Sequence, residues 1–225
     1  PPEFPKSIAK SSLTGADIRL PEYGGLYRLY VYVTDPHGGA ATASAPILVD
    51  GPRRFRKGSK ASLPLLIAGE AGAKEPYASS GYMGNAAAIV MDPKCQDDPH
   101  SGKTCLKVTY KATDGWGGVV WQSPANDWGD VAGGLDLTGA KRLRFFARGA
   151  DGGEKVKFGF GIIGRDKKYY DTTKSEQEFT LTSKWKEYSF DLKDRDLSRI
   201  KTGFTWALAS SGKPVVFYLD DVKFE

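Results

Sequence analysis

The chain has 225 residues, a formal net charge of +5 and 12% aromatic side chains, together with 27 glycines and 13 prolines. It contains no apolar run of about 18 residues, which excludes a membrane-spanning helix. It opens with PPEFPKS, which has neither the basic nor the apolar region of a signal peptide. Abundant glycine, proline and aromatic residues favour many short strands joined by tight turns, so we predict an all-β fold.

Two strands are predicted in the first segment, residues 1–50. Residues 26–33 alternate with the period of a strand, PHGG at 36–39 provides a turn, and residues 40–49 form the return strand. The entry Gly25-Leu26-Tyr27 resembles the tyrosine corner of immunoglobulin-like folds, and the segment is similar to the last strands of such a domain in secreted bacterial glycan-degrading enzymes. It is too short for the usual seven strands, so it is either a truncated domain or packs on its neighbour.

The positive charge is concentrated in the next segment, which we assign to a basic linker at 51–75. Residues 51–60 contain no acid and five basic side chains, which equals the net charge of the chain: Arg53, Arg54, Arg56, Lys57 and Lys60. Such a cluster beside glycine and proline is usually a solvated linker and less often an anion-binding patch. No nucleic-acid-binding signature accompanies it, so nucleic acid is not an expected partner.

Two cysteines, Cys95 and Cys105, flank a turn that contains Pro99 and Gly102. Such a turn can bring its two ends within disulfide reach, and a zinc site is not expected without further cysteines or a histidine pair. We predict a structural disulfide and, with it, secretion into an oxidising compartment. The alternative is a pair of reduced, partly buried thiols in a cytosolic protein.

The third segment, 76–225, contains nine predicted strands and no helical periodicity beyond one helical turn at 194–200. The strands are 87–91, 104–110, 118–122, 142–148, 156–163, 178–181, 186–192, 203–209 and 215–224. Short strands separated by Gly, Asp, Asn and Pro predict a two-sheet antiparallel sandwich.

Five motifs of this segment, in this order, resemble carbohydrate-binding modules of the galactose-binding-like jelly-roll type. They are HSGKTCLKV, LRFFARG, WKEYSFDL, TGFTWAL and FYLDDV. The resemblance implies a non-catalytic module that binds β-glucans such as cellulose or mixed-linkage glucan, or related plant polysaccharides. It also implies a structural calcium ion, and a place as a monomer within a larger secreted enzyme.

Alternation along the strands separates the predicted core from a predicted ligand groove. Leu143, Phe145 and Phe158 fall on apolar faces, and Trp185 at the start of its strand is also expected to pack in the core. The opposite faces supply a floor of small and polar side chains: Gly159, Gly161, Thr205, Ala207, Gln122 and Arg148. Glycine allows close approach of a sugar, and Gln and Arg can donate to its hydroxyls.

Loop aromatics are the predicted walls of the groove. Trp116 and Trp128 stand among residues too small or too polar to bury them, and Tyr169 and Tyr170 follow a charged turn. Planar rings suit pyranoses because the sugar C–H bonds meet the negative face of the ring. The alternative is that these rings cap one end of the sandwich.

The adjacent carboxylates of Asp220 and Asp221 are the predicted calcium ligands, because calcium prefers hard oxygen donors. Asp92 is a third candidate, together with Asp97 and Asp98, and the alternative is a solvated turn.

Catalysis is weakly supported by the sequence. His37 and His100 lie in turns with no serine-elbow or paired metal-ligand spacing nearby. A polysaccharide lyase that uses Tyr169 with Arg148 is the enzyme alternative, and a structural or protein-interaction sandwich is another. The prediction is a non-catalytic polysaccharide-binding module.

Overall fold

The computed structural model describes residues 18, 20, 25–50, 58–69, 76–210 and 212–225. The chain divides into two compact units between residues 56 and 57. Among the described residues, the one helix is a three-residue 3-10 turn, Ala86–Ala88, and none is long and apolar enough to cross a membrane. Four members of the basic cluster, Arg53, Arg54, Arg56 and Lys57, lie outside the described residues.

The described strands of the first unit form one antiparallel hairpin of β1 (Gly25–Thr34) and β2 (Ala40–Val49). Asp35 shapes the turn, because its Oδ1 accepts hydrogen bonds from the backbone N–H groups of His37 and Gly39, both at 2.8 Å. The hairpin and its turn were predicted from the alternation and the PHGG sequence. The immunoglobulin-like assignment stays a prediction.

The second unit is a sandwich of two antiparallel sheets. Its strands are β3 (Ser59–Lys60), β4 (Leu65–Ala68), β5 (Ala78–Gly84), β6 (Ile89–Cys95), β7 (Cys105–Tyr110), β8 (Trp116–Gln122), β9 (Leu135–Asp136), β10 (Arg142–Gly149), β11 (Lys155–Phe160), β12 (Ser175–Thr180), β13 (Lys186–Asp191), β14 (Thr202–Ala209) and β15 (Val215–Phe224). The six-stranded sheet has the order β13-β10-β15-β7-β6, with β4 also paired to β15, and the five-stranded sheet has the order β12-β11-β14-β8-β5. The short strands β3 and β9 pair in parallel.

The core lies between the two sheets and is rich in aromatic rings. Phe145 of the six-stranded sheet lies 4.8 Å from Phe158 and 5.4 Å from Phe204 of the five-stranded sheet, measured between ring centroids. Trp121 and Trp206 are also buried in this cluster. Tilted and edge-to-face packing of this kind lets the ring edges meet the ring faces. The predicted two-sheet sandwich is confirmed, and the alternation placed Phe145 and Phe158 correctly in its core.

Three sequence predictions about the fold are wrong. The sandwich begins before residue 76, because the apolar strand β4 pairs with β15 and buries Ile67 completely. Residues 194–200 form no helical turn; their backbone leads into an isolated antiparallel bridge between Ile200 and Leu135. Trp185 is only half buried and packs outside the main core, beside Tyr218.

Candidate functional site

The central strands of the five-stranded sheet form an uncharged strip of its outer face, which is part-exposed at Ala207 and Met83 and buried at Val120 and Thr205. One row across the sheet consists of Glu178, Lys157, Ala207, Gly118 and Met83, and the next consists of Glu176, Gly159, Thr205, Val120 and Gly81. The charged side chains therefore lie on β11 and β12, and the strip over β14 and β8 is uncharged. The alternation correctly predicted that Gly159, Thr205 and Ala207 share this face.

Two tryptophans stand on the β5 side of this strip. Trp116 starts β8, is 49% exposed and, by alternation, belongs to the same face as Gly118. Its Cδ2 lies 2.9 Å from the position that a Cβ on Gly84 would take. Trp128, 36% exposed, places its Cζ2 3.0 Å from the corresponding position on Gly81. The two glycines of β5 therefore leave room for two partly exposed rings.

Gln122 anchors the loop that carries Trp128. Its Nε2 donates to the backbone carbonyl of Asp127 at 3.0 Å, and its Oε1 accepts from the hydroxyl of Ser80 at 3.0 Å. The same Ser80 oxygen accepts from the backbone N–H of Asn126 at 2.9 Å. Gln122 is 1% exposed and both ends of its amide are occupied by these bonds, so its side chain positions the Trp128 loop and does not face a ligand.

Tyr169 and Tyr170 pack on buried cations at the base of a second loop. The backbone N–H of Tyr169 donates to the carbonyl of Gly129 at 2.9 Å, and its ring lies 5.7 Å from the Lys201 Nζ. The Tyr170 ring lies 4.9 Å from the guanidinium carbon of Arg199. Both tyrosines are half buried, so one face of each is occupied and they are poorer candidates for ligand platforms than the tryptophans.

A buried ion pair that the sequence analysis missed joins these loops to β14. The Lys201 ammonium, fully buried, donates to Asp127 Oδ2 and to the backbone carbonyl of Val131. Nearby, the carboxylate of Asp171 accepts from the Thr202 hydroxyl at 2.6 Å, and burial raises the pKa of Asp171. Lys201 and Asp127 are 74 residues apart, so no local spacing in the sequence could have revealed the pair.

Arg148 is not part of this face, which corrects the predicted floor. It lies on β10 of the six-stranded sheet, because β10 pairs with β13 and β15 and not with β11. Its guanidinium carbon lies 3.7 Å from the Tyr218 ring centroid and 5.3 Å from that of Trp185. Its Nη2 donates to the backbone carbonyl of Asp97 at 2.7 Å. Arg148 therefore holds the loop 96–104 against the outer face of the six-stranded sheet, to which β6, β7 and β10 all belong.

The same loop begins at Cys95 and ends at Cys105, which are direct register partners on β6 and β7. Both are free, buried thiols in the structure, so the predicted disulfide is not formed in it. Burial, and then the neighbouring Cys95, raise the pKa of the Cys105 thiol to about 12. The predicted proximity of the two cysteines is correct, and the covalent bond stays a prediction.

Asp220 and Asp221 lie together under this loop with His100. Asp220 is 1% exposed, and its oxygens accept from the backbone N–H groups of Ser101 at 3.1 Å and Asp221 at 2.8 Å. Asp221 Oδ2 lies 3.0 Å from His100 Nδ1, and the imidazole stacks on Phe146 at 3.5 Å between centroids. His100 therefore contacts both Asp221 and Phe146, whereas the sequence indicated only a turn residue.

A cation fits the chemistry of this pair. Burial raises the pKa of Asp220, and no lysine or arginine pairs with it among the described residues. A buried carboxylate beside a second carboxylate is costly without a positive partner. Asp92 does not belong to the cluster: it is exposed on β6, opposite Lys107 and two strands from β15.

Comparison with known proteins supports the fold of the second unit. No protein-family model matches the chain, and no curated protein matches its sequence. Among solved structures, a family 30 carbohydrate-binding module has a TM-score of 0.52 at 16% identity, over 73% of this chain and 99% of that chain. The sandwich has the fold of a carbohydrate-binding module.

Two further solved structures are similar at lower scores. One is a structure solved to explain the promiscuous specificity of carbohydrate-binding modules from the β-sandwich superfamily. It has a TM-score of 0.47 at 15% identity, over 95% of this chain and 79% of that chain. The other is the glycoside hydrolase domain of Endo-D from Streptococcus pneumoniae, with a TM-score of 0.48 at 21% identity over 64% of this chain and 21% of that chain.

Proposed function

We propose that the protein binds polysaccharide chains without catalysis, on the outer face of the five-stranded sheet. The observation that carries the proposal is the pair of partly exposed tryptophans, Trp116 and Trp128, at the β5 side of the uncharged strip. Indole faces can stack on pyranose rings, because the sugar C–H bonds meet the negative face of the ring. The expected ligand is a plant β-glucan such as cellulose or mixed-linkage glucan.

The lyase alternative loses its support in the structure. It requires Tyr169 and Arg148 to act on one ligand. Arg148, however, packs on Tyr218 at the outer face of the six-stranded sheet. Tyr169 instead packs beside Gly129, in the loop that follows β8 of the other sheet. Chemistry that needs both side chains at one bond is therefore not supported by their positions.

We propose that the protein works outside the cell. A binding module of this kind would act outside the cell as a monomeric part of a larger enzyme and hold that enzyme on its polysaccharide. The immunoglobulin-like hairpin would then belong to the preceding domain.

We also propose that Asp220 and Asp221 hold a structural calcium ion. The support is the burial of Asp220, whose carboxylate lies beside that of the part-exposed Asp221 and has no described lysine or arginine partner. Bound calcium would place a positive charge beside Asp220, and the two aspartates would supply oxygen ligands. The ion would tie the C-terminal strand β15 to the loop that contains Ser101.

Titration calorimetry with soluble β-glucan oligosaccharides tests the binding function. Affinity should be modest, about 10–100 μM, since a solvated sugar gives up hydrogen bonds to water that are nearly as good as those it gains. Removal of either ring, by Trp116→Ala or Trp128→Ala, should weaken binding roughly five- to hundredfold. Each variant must keep the wild-type melting curve. Full retention of affinity in both would place the site elsewhere, and turnover of the glycan would contradict a non-catalytic function.

A further inference from the structure

His100 adds a nitrogen donor to the two carboxylates of Asp220 and Asp221. Each of the three side chains offers one atom that can bind a metal ion, and these three atoms all lie within 4.8 Å of one another. His100 Nδ1 and Asp221 Oδ2 are 3.0 Å apart. In a tetrahedral zinc site with bonds of about 2.0–2.2 Å, neighbouring ligand atoms are about 3.4 Å apart. The three side chains therefore have nearly the spacing that one ion requires.

The imidazole of His100 is held in this position by two aromatic rings. It stacks on Phe146 with 3.5 Å between centroids and 16° between planes, and Trp185 meets it edge-on at 6.0 Å. Phe146 is the register partner of Asp220 across β10 and β15, so the ring under His100 and that carboxylate are neighbours on the sheet. The Trp185 Nε1 also donates to the backbone carbonyl of Asp98 at 2.7 Å, two residues before His100. A ligand fixed by its neighbours loses little freedom when it binds an ion.

An ion can reach the cluster from solvent. The His100 and Asp221 side chains are 30% and 25% exposed, whereas Asp220 is 1% exposed. Gly69 borders the buried side, where a Cβ would lie 3.2 Å from Asp220 Oδ1. The buried carboxylate can thus be the inner ligand, and water can complete the coordination on the exposed side.

The mixed donor set favours a different class of ion from calcium. Calcium takes about six to eight oxygen ligands, whereas an imidazole together with carboxylates suits borderline ions such as Zn²⁺. A given set of nitrogen and oxygen donors also binds Zn²⁺ more tightly than Mn²⁺. The sequence gave no reason to expect zinc at the cysteines, and the present cluster uses neither thiol.

We infer that His100, Asp220 and Asp221 together form a zinc site, and that calcium at the same place would use the carboxylate oxygens without the imidazole. The inference rests on the proposed metal-binding role of the two aspartates and adds to it a third ligand and a second class of ion. Bound zinc would join the loop that carries His100 to β15, the strand that contains both aspartates.

The test compares Zn²⁺ and Ca²⁺ on the full chain after EDTA treatment and dialysis. In the wild type, each ion added separately should raise the melting temperature, and calorimetry gives the affinity for each. In His100→Asn, affinity for Zn²⁺ should fall roughly tenfold or more, because loss of even an outer partner of a metal ligand costs about 10–100-fold. Affinity for Ca²⁺ should change about twofold or less, since calcium does not need the imidazole.

His37→Asn is the matched control, because His37 is the other histidine of the chain and lies in the exposed turn of the first unit. It should keep both responses. The variant Cys95→Ala, Cys105→Ala is a second control, because the two facing thiols are a competing zinc site. It should keep the Zn²⁺ response.

Nitrogen NMR of the imidazoles provides a readout that a purely structural role would not move. The chain has two histidines, so the His37→Asn spectrum identifies the signals of His100 directly. Zn²⁺ should shift one ring nitrogen of His100, and Ca²⁺ should leave both nearly unchanged. If His100→Asn has a lowered melting temperature without metal, His100→Phe retains a ring on Phe146 and should also lose the Zn²⁺ response.

The outcomes separate the inference from the calcium proposal. Zn²⁺ affinity that survives in His100→Asn and His100→Phe, or that disappears with the two cysteines, would overturn the inference and leave calcium binding intact. Zinc binding with unchanged His100 signals would overturn it as well. A response to Zn²⁺ alone, lost in His100→Asn, would support the inference and contradict the calcium proposal. A chain that responds to neither ion would overturn the metal-binding role of the two aspartates altogether.

Discussion

At the scale of single residues, the buried pair of Lys201 and Asp127 is the most consequential feature of the site's framework. Both side chains are nearly inaccessible to water, so either charge without the other would be uncompensated. Lys201→Met should therefore lower the free energy of unfolding by about 3–5 kcal/mol. Asp127→Asn added to it should restore part of the loss, because the amide oxygen can still accept from the backbone N–H groups of Asp130 and Val131. Urea unfolding of the three proteins provides the measurement; equal losses in the single and double variants would contradict the pairing.

The same pair predicts a pH dependence with a definite sign. Burial alone would raise the pKa of Asp127, but the hydrogen bonds from Lys201, Val131 and Asp130 hold that pKa below its usual value. A carboxyl whose pKa is lower in the folded state stabilises fully above its unfolded value of about 3.9 and loses the contribution as the pH falls through the folded value. The stability difference between wild type and the Lys201→Met, Asp127→Asn double variant should shrink from about pH 5 downward. A difference that is constant with pH would refute this.

The calcium proposal makes a prediction at two aspartates. Added calcium should raise the melting temperature, because ligands assembled only in the folded state bind that state preferentially, by about 2.7 kcal/mol at a concentration 100 times Kd. Asp220→Asn and Asp221→Ala should lose the response. Asp92→Ala is the control and should keep it, since Asp92 lies two strands away from the pair, about 10 Å. An unchanged wild-type melting curve in EDTA, with no metal by elemental analysis, would exclude the site.

Sequence reasoning at the scale of elements succeeded for alternation and failed for the assignment of strands to sheets. The period of two correctly placed Leu143, Phe145 and Phe158 in the core, because each strand has one apolar face. It could not tell that β10 and β11, which follow each other in the chain, belong to different sheets. Arg148 was therefore assigned to the wrong outer surface. Strand order depends on contacts distant in sequence, which alternation does not encode.

Loops posed a similar problem at this scale. The sequence showed that Trp128 stands in a polar loop. It did not show that the Gln122 side chain donates its hydrogen bond to the backbone of that loop and is therefore not available to a ligand. Whether a polar side chain faces a ligand or the protein depends on neighbours such as Ser80, which is 42 residues away in the chain.

At the scale of elements, we predict that a disulfide between Cys95 and Cys105 closes the loop that joins β6 to β7. Oxidation of the facing thiols by a mild oxidant such as glutathione disulfide would close a loop of about 11 residues and stabilise the fold by about 2–3 kcal/mol in the chain-entropy model. Thiol labelling of the unreduced, denatured protein should find no free thiol. A reductant should lower the melting temperature of the wild type but not of Cys95→Ala, Cys105→Ala. Two titratable thiols in the unreduced protein would contradict the disulfide.

At the scale of the whole molecule, the order of strands makes folding depend on the end of the chain. The last strand, β15, lies at the centre of the six-stranded sheet, between β10 and β7, and also pairs with β4. Its side chains Phe217, Leu219 and Phe224 are fully buried in the core. The partner strands cannot satisfy their facing backbone N–H and C=O groups until β15 is present.

A chain that ends at Pro214 should therefore fail to form the sandwich, because it loses the central strand and three fully buried apolar side chains, each of which costs roughly 2–5 kcal/mol when removed. That sum equals or exceeds the whole stability of a typical domain. Removal of residues 1–56, the other compact unit, is the matched truncation and should leave one cooperative melting transition for the sandwich. Circular dichroism and calorimetry on both truncations decide the matter. Cooperative melting of the chain that ends at Pro214 would show that the sandwich folds without its central strand.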